Sequence, residues 1–249
     1  MYILVSMILE KGKRGEFFAG ARDTFPLLIG ALPFGLIYGA LAVSSGLSVQ
    51  GALAMSAIVF AGSAQFIAVG LIASGAPVSI IIITTFMVNL RHLLYSATLL
   101  PELKRLSHAW RFFLAFFLTD ETFAVSARRY RMEDNSNYKH WYQLGSSIIM
   151  YLNWQFWCAA GIVLGSKIPD VKAWGLDVAM IVAFIGMTIP YIRNMPMIAT
   201  VFTAGIVSLL TWQFPYKLGL IAAAVAGILA GMTAERVISL KKNVNKEEL

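Results

Sequence analysis

Long apolar runs dominate the chain, separated by short polar links that carry Gly or Pro. Run length, rather than a period-two alternation, predicts α-helices that cross a bilayer, because about 20 apolar residues cover a hydrocarbon core about 30 Å thick. Eight segments qualify: 24–44, 51–73, 78–100, 112–127, 144–166, 174–192, 196–212 and 217–236. The fourth and seventh are short, and only Ser74 to Pro77 separates the second from the third. Seven spans with one re-entrant segment is the alternative. Pro77, Pro101, Pro169 and Pro215 fall between segments, where helices are expected to stop. The expected fold is all-α, a polytopic transmembrane helical bundle of about 7–8 spans. Two related halves with broken helices are a further option within it.

Composition closes off other classes. Of the 249 residues, 58% are hydrophobic and 13% charged, against about 25% charged in soluble domains. Mean hydropathy is +0.71. So little polar surface excludes a soluble enzyme, and intrinsic disorder with it. The net charge of +7 reads as basic cytoplasmic loops rather than nucleic-acid binding. The lone Cys158 cannot form an intrachain disulfide. Met1–Leu9 is apolar but precedes Lys11, Lys13 and Arg14, the wrong charge order for a signal peptide.

The positive charges place both termini inside, in a multi-pass protein of the cytoplasmic membrane. Residues 1–249 form a single membrane domain in this reading, and the polar stretch 128–143 is a cytoplasmic loop between two halves. The basic segment 102–111, with Lys104, Arg105 and Arg111, falls outside and fits the scheme poorly. Phe60-Ala61-Gly62 and Phe184-Ile185-Gly186, each after an Ile-Val pair, hint at an internal repeat of half the chain.

Ionisable groups at mid-depth cost about 2.5–3.5 kcal/mol each on insertion scales and need a reason. The fourth segment centres at Thr119 and Asp120, with Glu121 next. The third centres on Asn89, with Arg91 and His92 just beyond. The second centres on Gly62, flanked by Ser63 and Gln65. Three segments thus place polar groups at one level. A structural ion pair of Arg91 with Asp120 or Glu121 is one explanation. It leaves a second carboxylate without a fixed cation, since His92 can be neutral, and that group is a candidate proton carrier. Neighbouring positions on a helix point about 100° apart, so Asp120 and Glu121 are expected to have different partners.

Gly62-Ser63-Ala64-Gln65 is either a small-residue packing face or a broken helix lining a cavity. Pro190 offers a comparable break in the sixth segment. Gly35-xxx-Gly39 and Gly227-xxx-Gly231 read as packing faces. Trp110, Trp141, Trp174 and Trp212 fall at segment ends, as in an aromatic belt, whereas Trp154 and Trp157 lie deeper. Ser63 and His92 could be cast as nucleophile and base, but Ser63 has no Gly-x-Ser-x-Gly context and no His-Glu-x-x-His occurs, so an enzyme is not expected.

Phe60-Ala61-Gly62-Ser63-Ala64-Gln65-Phe66, Asn89-Leu90-Arg91-His92-Leu93-Leu94-Tyr95 and Leu118-Thr119-Asp120-Glu121-Thr122-Phe123-Ala124 together resemble the large subunit of the branched-chain amino acid exporters, the AzlC-like family. The likeness runs over most of residues 20–235. It implies an inner-membrane exporter of valine, leucine, isoleucine and often methionine, working with a small membrane subunit of about 100 residues (AzlD-like). No cofactor or metal is implied. For a hydrophobic zwitterion, Arg91 or the amides near Gly62 and Ser63 would receive the carboxylate. Asp120 or Glu121 would receive the ammonium, with Gln65, Asn89 and Tyr95 orienting it. Asp120, Glu121 and His92 are the candidates for proton coupling. A channel-like permease for another small solute, or a non-transporting assembly subunit, is the alternative.

Overall fold

The computed structural model describes residues 12–134, 136–167, 185, 189, 192–214 and 218–247. Several expectations lie outside these residues: the Met1–Leu9 run, most of the sixth segment with Pro190, Pro169, Pro215, Trp174, and Phe184 and Gly186 of the suggested repeat. The described residues are helical, with no strand among them. In chain order the helices are α1 Lys13–Ser44, α2 Val49–Val59, α3 Gly62–Ala73, α4 Val78–Leu103, α5 His108–Phe116, α6 Asp120–Tyr130, α7 Lys139–Lys167, α8 Met195–Leu210 and α9 Leu218–Glu247. Among the described residues, four stretches are long and apolar enough to cross a membrane: Lys13–Ser44, Val78–Leu103, Lys139–Gly165 and Ile221–Leu240. They bear out a helical membrane bundle.

The chain folds as two compact units, Met1–Val69 with Val88–Leu176, and Gly70–Met87 with Asp177–Leu249. In the second, α8 and α9 pack antiparallel. Gly227 and Gly231 of α9 lie on Thr200, and Gly219 lies on Thr211.

The first unit is organised by α1 and α7, which run side by side in the same direction. Gly20 meets the backbone of Tyr142, Gly145 that of Phe17, and Gly39 that of Cys158 and Ile162. Small residues let the two backbones touch, which is how helices associate where water supplies no driving force. A Cβ on Gly161 would fall 2.2 Å from the Leu36 carbonyl oxygen. Thr24 Oγ1 donates to Ser146 Oγ across this seam at 2.7 Å.

Two broken helices insert beside this pair. α5 and α6 have 9 and 11 residues, about 14 and 17 Å, each about half a bilayer core. Trp110 packs on His140 and Trp141 at the start of α7. Phe117 then reaches Tyr151, three turns deeper. Tyr130 returns to Gln143, donating to its Oε1 at 3.0 Å. The segment expected as a fourth span, 112–127, therefore enters and leaves at one end of the bundle. α2 and the start of α3 mirror it from the other end. Tyr38 OH donates to Ala52 O, Phe60 reaches Tyr151, and Phe66 returns to Tyr38.

This geometry resolves the charge misfit. Lys104, Arg105 and Arg111 belong at the same end as Lys13, Arg128 and Lys139, not opposite them, because residues 117–119 turn the chain back. A second expectation also changes. Pro101 lies inside α4, which continues to Leu103; so close to the helix end, proline costs one backbone bond without forcing a stop.

Candidate functional site

The two helix breaks meet. Phe60 ends α2 in the left-handed region, at φ 37° and ψ 46°, and is the one non-glycine with positive φ among the described residues. Such a backbone costs of order 1–3 kcal/mol. Aromatic packing holds it there: its ring is edge-on to Tyr151 at 4.8 Å and 6.5 Å from Phe117 at the other break. Gly62 opens α3 against the Trp154 ring, with 3.0 Å between the ring and the place a Cβ would occupy.

The second break is built by capping. Thr119 Oγ1 accepts from the Thr122 amide, and Thr122 Oγ1 accepts from the Thr119 amide at 2.7 Å. This reciprocal pair starts α6 as a helix in its own right. Asp120 and Glu121 occupy its first turn, and Arg128 and Arg129 its last, which matches charge to the helix dipole at both ends.

Arg91, on α4, joins the two breaks. Its Nη1 donates to Asp120 Oδ2 at 2.5 Å, and its Nη2 donates to Ser63 Oγ at 2.6 Å. Tyr95, one turn along α4, donates its hydroxyl to Asp120 Oδ1 at 2.7 Å and stacks on Phe123 at 4.4 Å. Both carboxylate oxygens of Asp120 are thus engaged. Side-chain exposures of 29% for Arg91 and 19% for Asp120 show a pair that is sheltered but reachable. The first-turn amides of α3 and α6 have no intrahelical acceptor, and these two positive helix ends converge where Ser63 and Asp120 share one guanidinium. A carboxylate and an ammonium could each find an opposite charge here.

Four of the residues singled out from sequence, Ser63, Arg91, Tyr95 and Asp120, therefore form one bonded chain, with Gly62 beside it. Asn89 and His92 lie close by on α4: His92 Nδ1 is 3.2 Å from the Asn89 carbonyl oxygen, its ring is edge-on to Tyr95, and Asn89 Oδ1 is buried without a partner. Glu121 is half-buried and makes no ion pair among the described residues. Gln65 is fully buried beside Tyr38. The Tyr38 proton goes to Ala52, and neither polar atom of the Gln65 amide has a hydrogen bond of good geometry. Unmet polar groups of this kind are costly to bury.

Sequence reasoning gave Phe60 no role beyond its place in a motif, and missed Phe117 and Tyr151, which look like ordinary apolar filling. It also missed a clasp at the basic end. Glu16, 2% exposed, accepts from Arg129 through both carboxylate oxygens and from Ser136 Oγ. Arg129 Nη1 also donates to Asp134 at 2.6 Å, and Lys139 pairs with the same carboxylate at 3.1 Å. Burial acts to raise the Asp134 carboxyl, but the hydrogen bonds and charges of Arg129 and Lys139 outweigh it and hold it below the usual carboxylate range. The clasp fixes the returning end of α6 against α1 and α7.

The three motifs that carry this arrangement fall inside one homologous region. A family model described as AzlC protein matches residues 26–168. The chain belongs to the AzlC family. Relatives cover most of its length. A membrane protein of Archaeoglobus fulgidus is 33% identical over 228 residues, 90% of this chain and 98% of the relative. The Escherichia coli inner membrane protein YgaZ is 27% identical over 87% of this chain and 81% of its own. The Bacillus subtilis branched-chain amino acid transport protein AzlC is 30% identical over 70% of this chain and 68% of its own. No solved structure matches.

Proposed function

We propose that this AzlC-family chain exports valine, leucine and isoleucine, with methionine, across the cytoplasmic membrane in exchange for protons. It would act as the large subunit of a two-component exporter, with a small AzlD-like membrane partner of about 100 residues. The observation that carries the reading is the Arg91 guanidinium held between Ser63 and Asp120 at the meeting point of two helix breaks. Family membership supports transport, and the name of the Bacillus subtilis relative supports the substrate class.

The site carries its own ion pair, Arg91 with Asp120. A zwitterion can replace that pair charge for charge: its carboxylate takes Arg91, Ser63 and the free amides at Gly62, and its ammonium takes Asp120. The site stays neutral in both states, so occupancy brings no net charge into a low-dielectric region. Tyr95, Gln65 and Asn89 orient the ligand. Glu121, without a cation of its own, exchanges the coupling proton, with Asp120 adjacent to it in the chain and His92 as the third candidate for proton coupling. The end bearing Lys13, Arg105, Arg128 and Lys139 faces the cytoplasm by the positive-inside rule. Apart from proton exchange at Glu121, no step in this scheme makes or breaks a covalent bond, and the amino acid leaves unchanged, so it describes a carrier rather than an enzyme.

Efflux of radiolabelled leucine from preloaded cells, with the small subunit co-expressed, tests the reading. Wild type should empty the cells faster than the small subunit alone. Asp120→Asn with Glu121→Gln, at equal membrane abundance, should remove the difference. Retained efflux in that double variant would refute the assigned roles.

A further inference from the structure

Away from the Arg91 site, the first unit has a cavity of about 510 Å³ at its basic end. One wall is the end of α4 and the residues after it, Glu102, Arg105 and Leu106. The others are Tyr130 at the end of α6, Asp134, and His140 at the start of α7. The volume lies within the usual range for small-ligand sites, about 300–1,000 Å³.

The charges around it are not equivalent. Asp134 is neutralised by Arg129 and Lys139. Glu102 and Arg105, by contrast, form no ion pair among the described residues. The cavity therefore offers one unmatched carboxylate and one unmatched guanidinium three positions apart, beside the apolar Leu106. That is the complement of a molecule carrying an ammonium, an anionic oxygen group and a greasy tail.

Its position points the same way. Tyr130 also belongs to an apolar cluster with Leu99, Leu103, Leu114 and Leu118, and Leu106 packs against it. Tyr95, about one turn before Leu99 on α4, also packs on that cluster and donates to Asp120. A leucine-rich plug thus lies between the cavity and the Arg91–Asp120 pair, and the two polar sites share its walls.

We propose that this cavity is a vestibule where a hydrophobic amino acid docks before reaching the Arg91 site, its ammonium on Glu102 and its carboxylate on Arg105. The proposal rests on the transport reading above and deepens it. Docking there affects capture from one face, not the maximal rate. Glu102 and Arg105 are exposed side chains, so Glu102→Gln and Arg105→Gln should leave folding intact.

The test is leucine transport in inside-out membrane vesicles, which present the basic end to the medium, compared with right-side-out vesicles. Each variant should raise the half-saturating leucine concentration about tenfold, the loss of one charged hydrogen bond, in inside-out vesicles only, with the maximal rate retained. Unchanged half-saturation, or an equal rise from both faces, overturns the vestibule while leaving the transport reading intact. Wild-type vesicles that move no leucine overturn the transport reading itself. An ethanolamine phospholipid headgroup has similar chemistry, so the kinetics are repeated in proteoliposomes of phosphatidylcholine and phosphatidylglycerol with and without phosphatidylethanolamine. An effect that persists without it supports a free amino acid, and an effect confined to vesicles containing it overturns the proposal.

Discussion

Phe60 and Phe117 end two half-helices that approach from opposite ends of the bundle, and their rings stand 6.5 Å apart. Phe60 carries a left-handed backbone to be there. Phe60→Gly would relieve about 1–3 kcal/mol of backbone strain but remove a ring that is 4% exposed, a loss of about 3–5 kcal/mol in a packed core, and glycine adds backbone entropy to the unfolded chain. Packing wins, and the variant should be less stable by about 2 kcal/mol or more. Thermal unfolding in detergent measures this, and a variant more stable than wild type would show that strain dominates.

The two hairpins make a topological prediction. In a Cys158→Ala background, Arg105→Cys and Ser136→Cys should label with an impermeant thiol reagent from the same membrane face as Lys13→Cys. Gln50→Cys, in the first turn of α2 beyond the far end of α1, should label from the opposite face. If residues 105 and 136 label from different faces, 112–127 crosses the bilayer after all.

The glycine seam separates tolerated from forbidden substitutions. A Cβ at Gly39 would fall 2.2 Å from the Cys158 carbonyl oxygen, whereas one at Gly30 meets nothing within 4 Å. Gly39→Val should cost about 3 kcal/mol or more, because neither backbone can yield. Gly30→Ala should be neutral or slightly stabilising, since alanine is the better helix former by about 1 kcal/mol. Yield of monodisperse protein by size exclusion reports both.

Acid should loosen the clasp at the basic end. Asp134 titrates below the ordinary carboxylate value in the folded protein. Its contribution is complete above the unfolded value of about 3.9 and is lost as pH falls below that through the depressed folded value. Proteolytic cleavage within residues 131–138 should therefore rise in acid, with pepsin as the probe. Asp134→Asn should be cleaved readily at neutral pH, with a neutral protease, and gain less on acidification. Equal resistance of variant and wild type would contradict the assignment.

Much of the site was readable from sequence because its chemistry is expensive in lipid. Arg91, Asp120 and Ser63 stand out against apolar surroundings, and a shared depth put them at one level, with Asp120 and Glu121 both open as the partner of Arg91; Tyr95 entered only with the third-segment motif and as an orienting group. The break at Gly62 was visible as a small, polar interruption. The re-entrant course of 112–127 was less so, since hydropathy averages over a window and does not see a cap. Yet the signal was present: Thr119 followed by Asp120 and Glu121, with Arg128 and Arg129 a helix-length later, marks one short helix with its own start and stop. The misplaced basic segment 102–111 was the second clue. Glu16 and its partner Arg129 are 113 residues apart, and no local pattern could join them. The aromatic contact of Phe60, Phe117 and Tyr151 depends on where two turns meet, which composition does not encode.

The decisive measurement is leucine transport by Arg91→Gln with Asp120→Asn in the same chain. Removing both charges leaves neither stranded, so a purely structural pair would be replaced at little cost. If instead these groups receive the two ends of a zwitterion, the doubly neutral protein should reach the membrane in wild-type amounts and move no leucine. Transport close to the wild-type rate in that variant would contradict the account.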